Sequence, residues 1–346
     1  MSDSVSLLIN KKKIENFQSY RIESNIFTAD DAFSLELSNP EIDISGGQQV
    51  ELFVNGEREL TGIIDRVHPS YDKSGRKLVV EGRDLMGVLV DSYCEEFITI
   101  ENIELKALAA RLLKNVKFIK IKEIQYGSGD KNRAVPLKHK KEEYEFTQIE
   151  PGQTIFDVLN QYALSRGMLF FSLPKGTFVF GQPVTKGKAE FTLTNRIGDP
   201  GENNIISGDE TRDISKQYSK LTVMAQKQGT DATAAVDINA KYTLPNPGYP
   251  FYKPFVARAE HDGQSPKKYA KVLLEKQQFD GYQLEYKTHG HSQGTKNWQV
   301  NAVCHVIDEV FAVEQDFLIY SRVFEKSKEN GVFTTLKLSK LGVLPA

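Results

Sequence analysis

The chain has little with which to build a cross-linked or metal-stapled fold. Its 346 residues contain two cysteines, Cys94 and Cys304, far apart and in neither a CxxC pair nor a zinc-finger spacing. Two free thiols fit a reducing environment, and hence assembly in a cytosol. An excess of one charge is missing too. Lys and Arg number 44 against 46 Asp and Glu, a net charge of −2, so no global basic field points to nucleic acid. The dense basic run near the start, Lys11-Lys12-Lys13, is expected to be a solvated turn after a short strand. No apolar stretch approaches the ~18 residues that cross a bilayer. MSDSVSLLIN lacks the basic and apolar regions of a secretory leader. Enzyme signatures are lacking as well: there is no GxGxxG behind a strand, no P-loop, no HExxH and no GxSxG. With those gone, a structural or assembly role gains weight.

What is present reads as β structure interrupted by helices. At roughly 100–200 residues per domain, two or three domains are expected. Val5, Leu7 and Ile9 alternate with polar neighbours, as do Phe33, Leu35 and Leu37, and then Val50, Leu52 and Val54. The last set runs into Asn55-Gly56, a pair suited to a tight hairpin because both residues tolerate positive φ. A second hairpin is expected about residues 72–75, with Lys77 to Glu81 as the return strand. Such closely spaced antiparallel strands suggest a small barrel or sandwich. Leu105, Leu108, Ala109, Leu112 and Leu113 mark one apolar helix face across 103–114. Residues 126–143 read as an exposed loop. PGQTIFDVLNQYALSRG (151–167) reads as a second helix, with Thr154 as N-cap and Gly167 at its end. MLFFSLPKGTFVFGQP reads as a hairpin and AEFTLTN as a strand. Residues 196–212 read as a linker, and 229–257 as a loop dense in proline and aromatics. Pro266 opens a third helix with the stripe Tyr269, Val272 and Leu273. Strands return at 298–306, 316–324 and 333–340.

Four clusters bear on chemistry. Asp84 and Asp91 flank Arg83 in VEGRDLMGVLVDS (80–92). Two carboxylates can divide acid and base roles when their environments differ. No nucleophile or metal set lies near, so a role in fixing a turn, with Gly82 and Gly87 bending the backbone, is the expectation. His289 and His291, with His305 and Asp308 downstream, have an HxH spacing that suits zinc when a third ligand approaches; the glycines around them favour an exposed loop. Pro151-Gly152-Gln153-Thr154 resembles the start of a LysM repeat, a peptidoglycan-binding module. A full LysM unit is a compact βααβ arrangement, and here one helix runs straight into a hairpin. Tyr242, Tyr249, Phe251, Tyr252 and Phe255, interleaved with Lys241, Lys253 and Arg258, could stack bases, although an interface or core segment fits the charge balance better.

Three segments in order resemble one family. VEGRDLMGVLVDS is similar to the turn after the first barrel of Mu-like phage baseplate hub proteins, related to the late control protein D family. EPGQTIFDVLNQYALSRGMLFFSLPKGTFVF (150–180) resembles that family's PGxTxFDxL segment. HGHSQGTKNWQVNAVCHVIDEVFAVEQDFLIYSRVFEKSKENGVFTTLKL (289–338) resembles its C-terminal barrel. The stretch 229–286 departs from the pattern. The resemblance implies a mainly β fold with α+β insertions: two tail-tube-like antiparallel β-barrels per chain plus helix-containing excursions. The first barrel is expected in 1–92. An α/β insertion with two helices and a hairpin follows in 93–205. The second barrel occupies 206–346, interrupted by an excursion at about 229–286. Implied too is a non-enzymatic structural hub of a contractile tail baseplate, a homotrimer without cofactor that adapts the six-fold tail tube to the three-fold central spike. Its implied partners are its own copies, the spike, the tail tube or distal tail ring, the tape measure protein and the baseplate wedges. DNA passes through its channel without specific binding, and no membrane anchor is implied. The expected location is the virion tail baseplate, assembled in the host bacterial cytoplasm. Architectural residues on this reading are Gly82, Arg83, Asp84, Gly87 and Asp91 at the turn, with Trp298 and Asn301 anchoring the second barrel. The alternatives are a peptidoglycan-binding or wall-penetrating tail protein, or the hub of a type VI-like apparatus. Because LGVLPA follows the last strand directly, any spike is expected to be a separate polypeptide.

Overall fold

The computed structural model describes residues 3–38, 44–73, 75–96, 99–100, 104–127, 147–164, 168–198, 200–225, 240–258, 266–329 and 331–343. The expected ends at Gly167 and Ser265, and most of the loop at 126–143, lie outside them. Strands β1 (Val5–Ile9) and β2 (Lys12–Ile14) form a hairpin around Asn10 and Lys11, both at positive φ, so the lysine run straddles a turn as expected. β3 (Ser19–Asn25), β4 (Ala32–Ser38), β5 (Gln49–Val54), β6 (Glu57–Asp72) and β7 (Gly75–Asp84) complete the first set. Asn55 and Gly56 take φ of 51° and 80° in the β5–β6 turn. The alternating residues face inward, with Leu7, Leu35, Leu52 and Val80 fully buried.

Residues 86–181 build a separate layer with its own core. α1 (Met86–Asp91), β8 (Thr99–Ile100), α2 (Leu105–Leu113), β9 (Gln125–Tyr126), β10 (Thr147–Gln148), α3 (Ile155–Leu164) and the hairpin β11 (Leu169–Ser172)–β12 (Phe178–Gly181) follow in order. The predicted stripes point inward: Leu105, Leu108, Ala109 and Leu113 pack with Ile155, Val158, Leu159 and Tyr162. Asp157 N–H donates to Thr154 Oγ1 at 3.1 Å and Thr154 N–H to Asp157 Oδ2 at 3.0 Å, a reciprocal cap that starts α3.

The remainder comprises β13 (Phe191–Asn195), β14 (Ile205–Arg212), β15 (Lys220–Ala225), β16 (Ala240–Pro245), β17 (Pro254–Arg258), α4 (Pro266–Gly281), β18 (Tyr282–His289), β19 (Ser292–Gln293), β20 (Lys296–Asn297), β21 (Ala302–Asp308), β22 (Val313–Ser327) and β23 (Gly331–Lys340). Two readings of the sequence are corrected here. The linker at 196–212 contains β14, a full partner of β18. The loop at 229–257 contains β16 and β17, which flank β15 in a three-stranded sheet against which α4 packs. Both were hidden for one reason. β14 and β17 are edge strands with mostly exposed side chains, so the apolar alternation that marks a half-buried strand is absent. α4 begins at Pro266, and Tyr269, Val272 and Leu273 are only half-buried around the buried Ala270.

Among the described residues thirteen strands form one sheet in the order β14-β18-β23-β22-β3-β4-β7-β6-β5-β1-β2, with β21 also on β22 and β13 parallel to β21. It is mainly antiparallel, and no pairing among the described residues closes either half into a barrel. Its two halves repeat one pattern. In the first, β3-β4-β7-β6-β5 pair in sequence; in the second, β14-β18-β23-β22-β21 do so. The register shift in β6 falls between Ile64 and Arg66, and that in β22 between Ile319 and Ser321. The likeness ends beyond β5 and β21, where β1 is antiparallel and β13 parallel. Phe191, Trp298, Leu336 and Leu338 from the second half share one core with Leu7, Leu35 and Val80 from the first.

The chain does not bend at Gly82, as the sequence suggested. β7 runs on to Asp84, and the turn comes at Leu85 as α1 starts. Gly82 is needed for closeness: a Cβ there would collide with the Ile63 carbonyl oxygen and stand 2.6 Å from Phe33 Cζ. Gly82→Ala is therefore expected to destabilise by about 1–3 kcal/mol through overpacking, read as a lower urea midpoint at unchanged m-value.

Candidate functional site

The polar residues of VEGRDLMGVLVDS separate into two environments because β7 alternates its faces. Arg83 lies on the outer face. Its Nε donates to Asp65 Oδ2 at 2.7 Å, one terminal nitrogen reaches Asp30 at 3.2 Å, and the other meets Asp91 on α1. These bonds, those to Asp65 foremost, raise the arginine pKa, while Arg83 holds the Asp91 carboxyl below its usual range. Gly87 lets α1 approach: a Cβ there would stand 3.1 Å from Arg83 Nε. The arginine thus clamps the end of β7 to the β3–β4 turn and to α1.

Asp84 points the other way and is 5 % exposed. Its Oδ1 accepts the Met86 N–H at 3.0 Å, starting α1, and its Oδ2 accepts from Ser172 on β11. Asp84 N–H in turn donates to the Asp31 carbonyl at 2.9 Å. Burial, and then the Asp31 charge, push the Asp84 carboxyl well above the carboxylate range. Burial also pushes Asp31 up to about 6, against hydrogen bonds from Ser24 Oγ at 2.7 Å and Asn25 N–H at 2.9 Å.

Both carboxyls line a cavity of about 270 Å³ where three parts of the chain meet. The β3–β4 turn contributes Asp30 and Asp31, the β11–β12 hairpin contributes Phe171 and Ser172, and the second half contributes Asn301 and Arg322. Arg322 and Glu59 form an ion pair of 2.6 Å with side chains 3 % and 5 % exposed. Arg322 also donates to the Trp298 carbonyl at 2.9 Å, and Asn297 donates to Glu59 at 2.8 Å. A pair this deep gains little over an apolar replacement, but removing one partner costs about 3–5 kcal/mol. It ties β6 of the first half to β22 of the second.

The other predicted residues disperse. Trp298 is buried and packs on Phe191 at 4.8 Å between ring centroids. Asn301 sits at φ 58°, donates its N–H to Ile319 and accepts the Val184 N–H at 2.8 Å. His291 is fully buried, with Nε2 2.8 Å from the Tyr20 hydroxyl and Nδ1 3.1 Å from Thr334 Oγ1. Both ring nitrogens are thereby taken, and burial pushes its pKa down to about 4. His289 is exposed, and His305 pairs with Asp316 at 2.6 Å. Among the described residues no three His, Cys, Asp or Glu side chains gather as a metal site. Phe251 and Tyr252 are exposed, Tyr252 under Lys220 at 5.2 Å. Sequence reasoning missed Asp31, Glu59 and Arg322. Arg322 had a signal: one charge inside the largely apolar run FLIYSRVF.

The bonds of this junction hold separate parts of one chain together. Residues 4–84 match the family described as Mu phage baseplate assembly protein GpP-like, N-terminal. The baseplate hub protein gp44 of Escherichia phage Mu is 22% identical over 338 residues, covering 93% of this chain and 84% of gp44. A tail protein from Neisseria meningitidis MC58 superposes with a TM-score of 0.82 at 25% identity, covering 99% of this chain and 98% of that one. The 43 kDa tail protein of prophage MuSo2 from Shewanella oneidensis does so at 0.78 with 22% identity, covering 98% of each. The resemblance to Mu-like phage baseplate hub proteins is thus shown, and with it a structural role in a phage tail baseplate.

Three variants check these contacts. Asp31 holds its proton more tightly folded than unfolded, so it withdraws stability as pH rises from about 4 to about 6. Asp31→Asn cannot ionise, so its melting temperature relative to wild type is expected to climb across that window and then level off. Arg83→Ala is expected to cost about 1–2 kcal/mol, since half-exposed pairs contribute under ~1 kcal/mol each and three carboxylates are left facing one another. Asp91→Asn should cost less, because Asp91 is the most exposed of the three partners. Chemical denaturation measures both.

Proposed function

We propose that three copies of this chain assemble as the hub at the centre of a contractile-tail baseplate. The observation that carries this is the match to the Mu baseplate hub protein along nearly the whole chain. Each chain contributes two strand sets of matching pairing order, so three copies present six such units around one axis. A ring of that kind has six-fold character toward the tail tube and three-fold character toward a trimeric spike. Its centre forms part of the channel for DNA and the tape measure protein, and wedge proteins dock around it. The near-neutral balance of charge suits a passage that should not trap DNA. The role needs rigidity and strand edges that find partners, and no reacting group.

The LysM-like alternative loses support from the same region. Gly152 at φ 93° turns the chain and Thr154 caps α3, which runs into the β11–β12 hairpin, so PGQT has a local structural task. Size-exclusion chromatography with light scattering tests the hub reading. The expected mass is three times the 39.0 kDa chain. A chain that stays monomeric at high protein concentration would sink it.

A further inference from the structure

The chain carries an internal copy of a contact that it leaves half unused. In β22, one edge pairs with β23 from Phe317 to Ser327. The other edge pairs with β21 up to Ile319 and then, past the shift at Tyr320, with β3 from Ser321↔Asn25 to Lys326↔Tyr20. β6 is built the same way. One edge pairs with β7 from Gly62 to Asp72, and the other with β5 up to Ile63. Beyond the shift at Asp65, no strand among the described residues pairs with that edge from Arg66 to Tyr71. The counterpart of β3 in the second half is β14, and its outer edge is equally unpaired among the described residues.

We propose that β14 of one copy pairs antiparallel with the Arg66–Tyr71 segment of β6 in the next copy, repeating between chains the β3–β22 contact within the chain. The pairing registers set the alignment. Ile64 opposes Gly82 as Ile319 opposes Leu338. Gly82 opposes Phe33 as Leu338 opposes Leu284. Phe33 opposes Ile22 as Leu284 opposes Glu210. Ile22 is thus matched by Glu210 and Phe324 by Pro69. Since Ile22 opposes Phe324, Glu210 opposes Pro69 across the new contact. The rest follows: Arg66 faces Asp213, Val67 faces Arg212, His68 faces Thr211, Ser70 faces Asp209 and Tyr71 faces Gly208.

Chemistry agrees with that register. Arg66 meets a carboxylate at one end. At the other, Tyr71, 88 % exposed, comes opposite Gly208, beside which the Tyr286 and Phe311 rings already pack, 2.8 and 3.1 Å from where a Cβ would stand, so its ring meets an aromatic surface. Val67, Pro69 and Tyr71 share one face of β6, and only Val67 reaches the core; across the contact that face would be covered by Arg212, Glu210 and Gly208 of the neighbour. Using two different edges makes it head-to-tail, the kind of contact that forms a ring when the rotation between copies closes.

The inference rests on the trimer reading, and disulfide trapping separates the two. Ser70→Cys and Asp209→Cys lie opposite each other, where strand partners bring Cβ atoms within disulfide range, and the native Cys94 and Cys304 are buried. After mild oxidation the double variant should run as a covalent trimer on non-reducing gels. A mixture of the two single variants should stop at dimers. Ser70→Cys with Ser207→Cys, two residues out of register, should cross-link at least tenfold more slowly. Absent or equally fast cross-linking while light scattering still gives a trimer overturns the contact and leaves the trimer standing. A monomer without cross-links overturns both.

Discussion

The structure depends on six residue pairs between β3 and β22, from Tyr20↔Lys326 to Asn25↔Ser321. Their ladder joins strands about 300 residues apart in sequence into one sheet, and the core that the two strand sets share follows from it. Without it the two strand sets would each expose an edge and half of a hydrophobic face. Tyr320 is the pivot. It falls where β22 passes from β21 to β3, and it packs with Phe27 and Phe279 at 5.4 and 5.0 Å.

The polar junction lies at the end of that ladder, where Asn25 and Arg322 meet the end of β7. Its composition follows from geometry. Three chain segments converge with backbone groups and turn starts to satisfy, so carboxylates, an arginine and a serine are held in a place where solvent is scarce. The Glu59–Arg322 pair and the Asp84–Ser172 bond make the convergence specific: each joins a different pair of segments, and neither can be satisfied by a slipped register. The carboxyls of VEGRDLMGVLVDS act as such ties within the chain, Asp84 to Ser172 and to the start of α1, Asp91 to Arg83.

Much of this was legible beforehand. Leu7, Leu35 and Leu52 alternate because one sheet face is buried, and α2 and α3 show their stripes because each packs one side on the insertion core. Thr154 and Asn55-Gly56 announced their cap and turn through local chemistry. β14 and β17 were illegible because an exposed edge strand has no apolar phase to betray it. Gly82 was legible as a required glycine but not as a straight-strand one, since a close approach involves the partner's atoms and leaves no mark in its own neighbours.

The sequence by itself determined what local periodicity and turn chemistry can carry: a β-rich chain with helical excursions, its hairpin turns, and a likeness to baseplate hub proteins. Tertiary structure alone decided how the strand sets join, because Tyr20 finds Lys326 through long-range pairing that no window of sequence contains. It decided the fate of the charges as well. Arg83 and Asp84 are neighbours of similar polarity, yet one reaches outward to three carboxylates and the other inward to Ser172, since adjacent residues of a strand face opposite sides.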